Sequence, residues 1–390
     1  MPHIKVTPFD TSRIEAYIGT QSPVTFRAYS DDRSDELWGV RYDDEEFLLH
    51  VKPFENETLI KFDKITRPTN VELIKRALRD VARLLGLEII GSNIAAKTKR
   101  PLRSPYEKRI EDFYDMTFPF ERTAFEVGFG SGRHLLYQAA KRPDTLFIGV
   151  EIHTPSLQQV LRQIELQGLR NIWVVNYDAR LLLEMLPSNM LEQIYVHFPV
   201  PWDKKPHRRV ISPLFLQEAM RTLRQGGTLE LRTDSENYFR YALDVVFSVP
   251  KTDVRIRKNA ALEVTSKYEA RWRRMQKDIY DVYVEALEVS PPKETAYDFT
   301  FPVMPYKAEP ERVLPRKPQV FEDFFIHIER VYRTHTGARL VKCSFGGFDR
   351  PEHKYIVVDK QSARYFGSLP VKTGVNAKAH QKLLEMLRDE

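Results

Sequence analysis

Phe125-Glu126-Val127-Gly128-Phe129-Gly130-Ser131-Gly132-Arg133-His134 is a short apolar run that breaks into a glycine-rich turn and then enters a helix-like segment. Glycine takes positive φ without a steric penalty, and with no Cβ it lets the backbone approach a ligand closely. Such a turn also serves simply to connect a strand to its helix, so the next strand matters. That strand, Thr145-Leu146-Phe147-Ile148-Gly149-Val150, ends in Glu151. In a doubly wound sheet an acid there faces the crevice and can accept both hydroxyls of a ribose. The pair points to an adenosine-type ligand.

The rhythm continues downstream, with strands expected at 123–127, 145–151, 171–176, 193–199 and 228–233 and helices between them. Thr154 before Pro155 reads as an N-cap and first helical turn, Gly168 closes that helix, and Gly226-Gly227 reads as the tight return into the fifth strand. Residues 278–287 alternate and read as a late strand closing the sheet. Strand and helix in alternation require a parallel sheet covered on both faces, with sites at the carboxyl ends of the strands.

Upstream, short β-rich runs precede one amphipathic helix from Thr69 to Leu87, followed by the basic linker Lys97-Thr98-Lys99-Arg100-Pro101-Leu102-Arg103. Downstream, prolines cluster between 291 and 318, then strand-like runs (321–331, 340–345, 355–358) and a helix near 379–387 complete the chain. The expected division is therefore 1–104, an accessory α+β domain with its linker; 105–290, the doubly wound domain; and 291–390, a proline-rich connection with a small α+β region.

Composition bounds the rest. With 60 Lys+Arg against 54 Asp+Glu over 390 residues, the net charge of +6 is small, and its distribution carries the information. The lone Cys343 excludes an internal disulfide and a cysteine-based zinc site, and no metal is expected. The start lacks a signal-peptide stretch and no segment reaches the length of a membrane span, so a cytoplasmic protein with no membrane partner is expected, as monomer or homodimer.

Chemistry-bearing residues gather at the strand ends. Asn176-Tyr177-Asp178-Ala179 ends the third, where Asp178 either accepts the amine of an adenine or caps the following helix. The fourth ends in His197-Phe198-Pro199-Val200-Pro201-Trp202-Asp203-Lys204-Lys205-Pro206-His207-Arg208-Arg209, a proline-stiffened loop with an aromatic and a basic cluster. That mixture suits phosphates and an unstacked base, or is merely a solvated loop. The fifth ends in Thr233-Asp234, where Asp234 can cap the next helix. Finally, residues 265–274 pack hydroxyls, Glu269 and four cations together, as a solvated helix face also would.

In that order, these stretches resemble the bacterial tRNA (guanine-N7)-methyltransferase family over residues 120–288. The matching motifs are the acid-led glycine turn Glu126 to Gly132, the acid Glu151, the pair Asp178-Ala179, the loop Phe198-Pro199-Val200-Pro201-Trp202 with Lys204 and His207-Arg208-Arg209, Thr233-Asp234, and Ser266-Lys267-Tyr268-Glu269. The resemblance implies a Rossmann-like class I methyltransferase domain that uses S-adenosylmethionine to methylate N7 of a guanine in the variable loop of tRNA. It places the cofactor at Glu126, Gly128, Gly130, Glu151 and Asp178, and tRNA at Lys204, Arg208, Arg209, Asp234, Ser266, Lys267 and Glu269. Asp234 and Glu269 are the expected catalytic acids, with Asp203 as a further candidate. The basic run is shorter than the family's, and Val200 stands where the family's signature Asp would be. A class I methyltransferase with another substrate would share the glycine turn and Glu151 without needing the cations, and a non-catalytic tRNA-binding protein would keep the cations without turnover.

Overall fold

The computed structural model describes residues 2–19, 22–68, 70–94, 104–114, 116–261, 263, 275, 277–293, 296–348 and 350–389. Ser266, Lys267, Glu269, the cations of 271–274 and the linker 97–103 lie outside the described residues. The chain forms two compact units rather than the three expected: Met1–Leu102 together with Tyr297–Glu390, and Arg103–Ala296.

The first segment supplies β1 (His3–Val6), β2 (Val24–Ser30), β3 (Arg33–Tyr42), β4 (Glu45–Pro53), β5 (Thr58–Phe62), α1 (Val71–Leu85) and β6 (Ile89–Ser92). The strands are antiparallel in the order β2-β3-β4-β5-β1-β6. One face packs Trp38, Leu49, Val51 and Ile60 against Leu73, Ile74, Ala77, Leu78, Val81 and Leu85 of α1, which recur at helical spacing. The helix is shorter than expected because the Asn70 side chain accepts from the Glu72 N–H and Gly86, at φ 62°, stops it.

The central unit runs β7 (Glu107–Lys108), β8 (Arg122–Val127), α2 (Arg133–Lys141), β9 (Thr145–Val150), α3 (Thr154–Gln167), β10 (Ile172–Val175), α4 (Ala179–Met185), β11 (Leu191–His197), α5 (Pro213–Thr222), β12 (Leu223–Thr233), α6 (Glu236–Val246), β13 (Thr252–Lys258) and β14 (Tyr280–Ala286). Its sheet order is β13-β14-β12-β11-β8-β9-β10-β7, with β14 antiparallel to both its neighbours and the other pairings parallel. This is the Rossmann-like, doubly wound sheet of the expected class I methyltransferase fold. The winding reverses between β8 and β11, so a crevice opens at their carboxyl ends. Two local expectations change. His153, not Thr154, is the N-cap of α3, and Gly226-Gly227 lies inside β12 where its register with β11 shifts.

The last segment adds β15 (Gln319–Val320), β16 (Phe325–Thr334), β17 (Arg339–Gly346), β18 (Glu352–Val358), β19 (Ala363–Phe366) and α7 (Gly374–Leu387). Arg333 and Thr334 of β16 pair with Tyr29 and Ala28 of β2, which fuses the two terminal segments into one sheet, β19-β18-β17-β16-β2-β3-β4-β5-β1-β6. Flat, β19 and β4 would be about 28 Å apart at about 4.7 Å per strand. Instead Arg364 Nη1 lies 2.8 Å from Glu46 Oε2, and the Tyr355 hydroxyl donates to Asp63 at 3.2 Å, so the sheet curls. Ala28, Leu37, Leu48, Tyr332, Leu340, Tyr355 and Phe366 fill the curl. That shared core is the reason the terminal segments make one body: each leaves an apolar sheet face that only the other covers. Among the described residues no helix is long and apolar enough to cross a membrane, and no group of three or more His, Cys, Asp or Glu could hold a metal ion.

Candidate functional site

The turn after β8 carries positive φ at Gly128 (65°), Gly130 (53°) and Gly132 (72°). A Cβ on Gly128 would meet no protein atom within 4 Å, and one on Gly130 only the Gly128 carbonyl at 4.0 Å, so both face open crevice. A Cβ on Gly132 would lie 2.3 Å from Val160 Cγ2, so this glycine serves the close packing of turn on α3. Glu151, half-buried at the end of β9, aims its carboxylate at the turn: Oε2 accepts from Gly130 N–H at 2.9 Å and Oε1 from His153 N–H at 2.9 Å. Each oxygen keeps acceptor capacity for a hydroxyl. An open glycine cradle with an oriented carboxylate beside it fits an adenosine-type cofactor. Ile152, 76% exposed next to that acid, offers an apolar surface for a base, and only its exposure singles it out.

Two of the expected cofactor residues have further engagements. Glu126 is 3% exposed and accepts from His134 Nδ1 at 2.8 Å, which ties the first residue of the turn to the helix after it. Asp178 caps α4 by accepting from Arg180 N–H and is also forked by the Arg180 guanidinium at 3.1 and 2.7 Å. Asn176 Nδ2 donates to the Glu151 carbonyl at 2.7 Å, joining the ends of β9 and β10.

Across the crevice, the loop after β11 is strained. Phe198 and Trp202 have φ of 50° and 47°, conformations that side chains other than glycine seldom adopt and that cluster at functional sites. The Phe198 N–H donates to the Arg232 carbonyl at 2.7 Å, and Arg209 Nε donates to the Pro201 carbonyl at 2.8 Å. Arg209 is only 7% exposed, lies over the Tyr241 ring at 4.4 Å and pairs with Asp203 at 3.3 Å. It therefore holds the loop from within, where the sequence made it a phosphate contact. Lys204 and Arg208 are exposed, with Arg208 resting 5.1 Å over the Trp202 ring. Val200, 59% exposed, has no packing role that would explain it. Asp234 does not cap α6; Ser235 does, and Asp234 pairs instead with Lys277 at 2.9 Å.

Beneath the crevice lies a polar layer that the sequence did not reveal. Glu126, Tyr195 and Glu230 stand side by side on β8, β11 and β12, His197 meets Glu230 at 3.0 Å, and the His134 and His197 rings lie 4.5 Å apart. Burial disfavours a charged His134, but the charge and hydrogen bond of Glu126, with the charge of Glu230, outweigh it and raise its pKa above the ordinary value. Its contribution to stability is therefore complete below the unfolded imidazole's pKa and is lost as pH rises through the higher folded value. An NMR titration should find His134 protonating above a free imidazole, and His134→Gln should flatten the decline of stability on that alkaline side. A titration at or below the free value would remove the argument.

A family model described as a putative methyltransferase matches residues 121–282. The chain is 44% identical over 358 residues to the tRNA (guanine-N(7)-)-methyltransferase of Wolinella succinogenes, covering 90% of this chain and 91% of that one. Proteins of the same name from Helicobacter hepaticus and Campylobacter fetus are 39% and 37% identical, covering 92% of this chain and 92% and 95% of theirs. The chain belongs to the tRNA (guanine-N7)-methyltransferase family. Those alignments are too long to be confined to the central unit, so these family members share the terminal unit as well. The matched block 121–282 contains the glycine turn, Glu151, the strained loop and Asp234.

Proposed function

We propose that this protein transfers the methyl group of S-adenosylmethionine to N7 of a guanine in the variable loop of tRNA. The observation that carries the reading is the strained loop Phe198 to Trp202 facing the Gly128–Gly130 cradle and Glu151 across one switch-point crevice, in a chain 44% identical to a relative of that name. When bound, S-adenosylmethionine supplies an electrophilic methyl group on a sulfonium. Glu151 would hold its ribose hydroxyls, and Gly128 and Gly130 would admit it to the backbone. Glu126 and His134 fix the course of the turn.

Guanine N7 has a free lone pair, so no proton has to leave before attack and the protein's work is positioning and electrostatics. Alkylation makes the guanine N1–H and exocyclic amine more positive. Asp234, at the mouth of β12 and held by Lys277, can accept from them, with Glu269 as the second acid. Lys204 and Arg208 are exposed for phosphates, and Trp202 offers a face for a base. An apolar Val200 is compatible with this chemistry because the step needs no general base.

The test is mass-spectrometric detection of 7-methylguanosine after mixing protein, S-adenosylmethionine and unmodified tRNA. Single-turnover rates should fall roughly ten- to a hundredfold for Asp234→Ala, since an unpaired buried donor costs about 1–3 kcal/mol. Asp203→Ala should cost less, because that carboxylate already serves Arg209. Val200→Asp should not be needed for activity. A natural protein inert on every tRNA that Val200→Asp rescues would instead mark a binding module.

A further inference from the structure

The sheet of the terminal unit has two unlike faces where β4, β5 and β1 lie side by side. One carries Leu49, Val51, Ile60, Phe62, Ile4 and Val6 and is buried in the core with α1. On the other, strand register aligns His50, Lys61 and His3 in one row and Lys52, Leu59 and Lys5 in the next. All six side chains on that face are half-buried, so the lysine stems lie along the sheet while their ammonium groups reach water. Glu57 neutralises Lys5 at 2.8 Å and Asp35 engages His50 at 2.6 Å. Among the described residues, Lys52 and Lys61 have no carboxylate within ion-pair distance.

Lys52 and Lys61 are diagonal neighbours on adjacent strands, within reach of one another's charge but not directly opposed. Burial and the neighbouring ammoniums of Lys52 and Lys64 lower the pKa of Lys61 by more than the carboxylate of Asp63 raises it, so each cation is felt by the next. Neighbouring cations without ion-pair partners are matched in charge by a polyanion whose phosphates are spaced along a backbone. We propose that this face, centred on Lys52 and Lys61, is a docking surface for the phosphate backbone of the tRNA. The inference rests on tRNA being the substrate, and it assigns the terminal unit a share of the binding energy. Phosphate contacts of this kind fix position without reading sequence. The chemistry is carried by the other unit.

The experiment uses the full chain with Lys52→Gln and Lys61→Gln together, binding unmodified tRNA over a range of salt concentrations. Two lost phosphate contacts should reduce the slope of log K against log salt by about 1.4–1.8 and weaken binding roughly tenfold near physiological salt. The paired Lys52→Arg, Lys61→Arg protein should retain both, and cofactor affinity by calorimetry should be unchanged in all three proteins. An unchanged slope and affinity in the glutamine variant overturns the surface. If the natural protein fails to methylate tRNA but loses slope on substitution, the surface stands as an RNA contact and the enzymatic reading falls.

Discussion

Asp281→Ala is expected to lower the unfolding free energy by about 3–5 kcal/mol, the range found when one partner of a buried ion pair is removed. Arg232 and Asp281 face each other in the β12–β14 register, form a charge-assisted hydrogen bond, and are both fully buried. Without the carboxylate, the buried guanidinium loses the charge that faces it across β12 and β14, while its Nη2 still donates to the Ala260 carbonyl at 3.0 Å. For a unit of this size the midpoint of thermal unfolding should fall by roughly 6–20 °C. The pair's own worth is smaller than that loss, because Asp281 Oδ2 is buried without a partner. Replacing both residues, as Arg232→Met with Asp281→Leu, should therefore recover most of the stability. Function would feel the single change too, since the Arg232 carbonyl receives the Phe198 N–H at the base of the strained loop. A denaturant midpoint for Asp281→Ala within error of the natural protein would show that the pair is not what stabilises the strand ends.

Strands β8 to β12 and β14 of the central unit were legible because their signals are local, whereas the edge strands β7 and β13 were not read. Each of these is a largely apolar run of strand length, and their alternation with helices implies a parallel sheet covered on both faces. Glu151 was legible for the same reason: its place at the end of a strand fixes where it points. The joining of β16 to β2 was not, because Arg333 and Tyr29 are paired across about 300 residues of chain and nothing in either stretch names the other. The place of Arg209 was hidden for a related reason. In sequence it is one more cation in a basic run, while in space Tyr241 and the Pro201 carbonyl bury it. His134 and His197 were both in the stretches that mattered, yet their roles come from Glu126 and Glu230 on neighbouring strands. Capping was partly legible: Asp178 does cap its helix, whereas at Thr233-Asp234-Ser235 the cap falls on Ser235 and leaves Asp234 for Lys277.

Glu151→Ala should weaken S-adenosylmethionine binding by about 2–3 kcal/mol, roughly thirty- to a hundred-and-fifty-fold, because hydrogen bonds to a carboxylate are worth about 1.5–3 kcal/mol each. The geometry adds a second loss: Oε2 and Oε1 also receive the Gly130 and His153 N–H groups, so the substitution loosens the turn that admits the cofactor. Glu151→Gln should fall between, since its amide oxygen can satisfy one of those donors while its NH₂ group repels the other. Asp178→Ala provides the comparison. Its carboxylate is already forked by Arg180 and caps α4, so its removal should cost helix stability more than cofactor affinity. Because the Glu151 carboxylate is half-exposed and its two backbone donors border the open crevice, water can replace it in the unliganded protein, and thermal stability without cofactor should change little. Calorimetric titration separates these outcomes. Unchanged affinity in Glu151→Ala with a large loss in Asp178→Ala would move the anchoring role from the end of β9 to the end of β10.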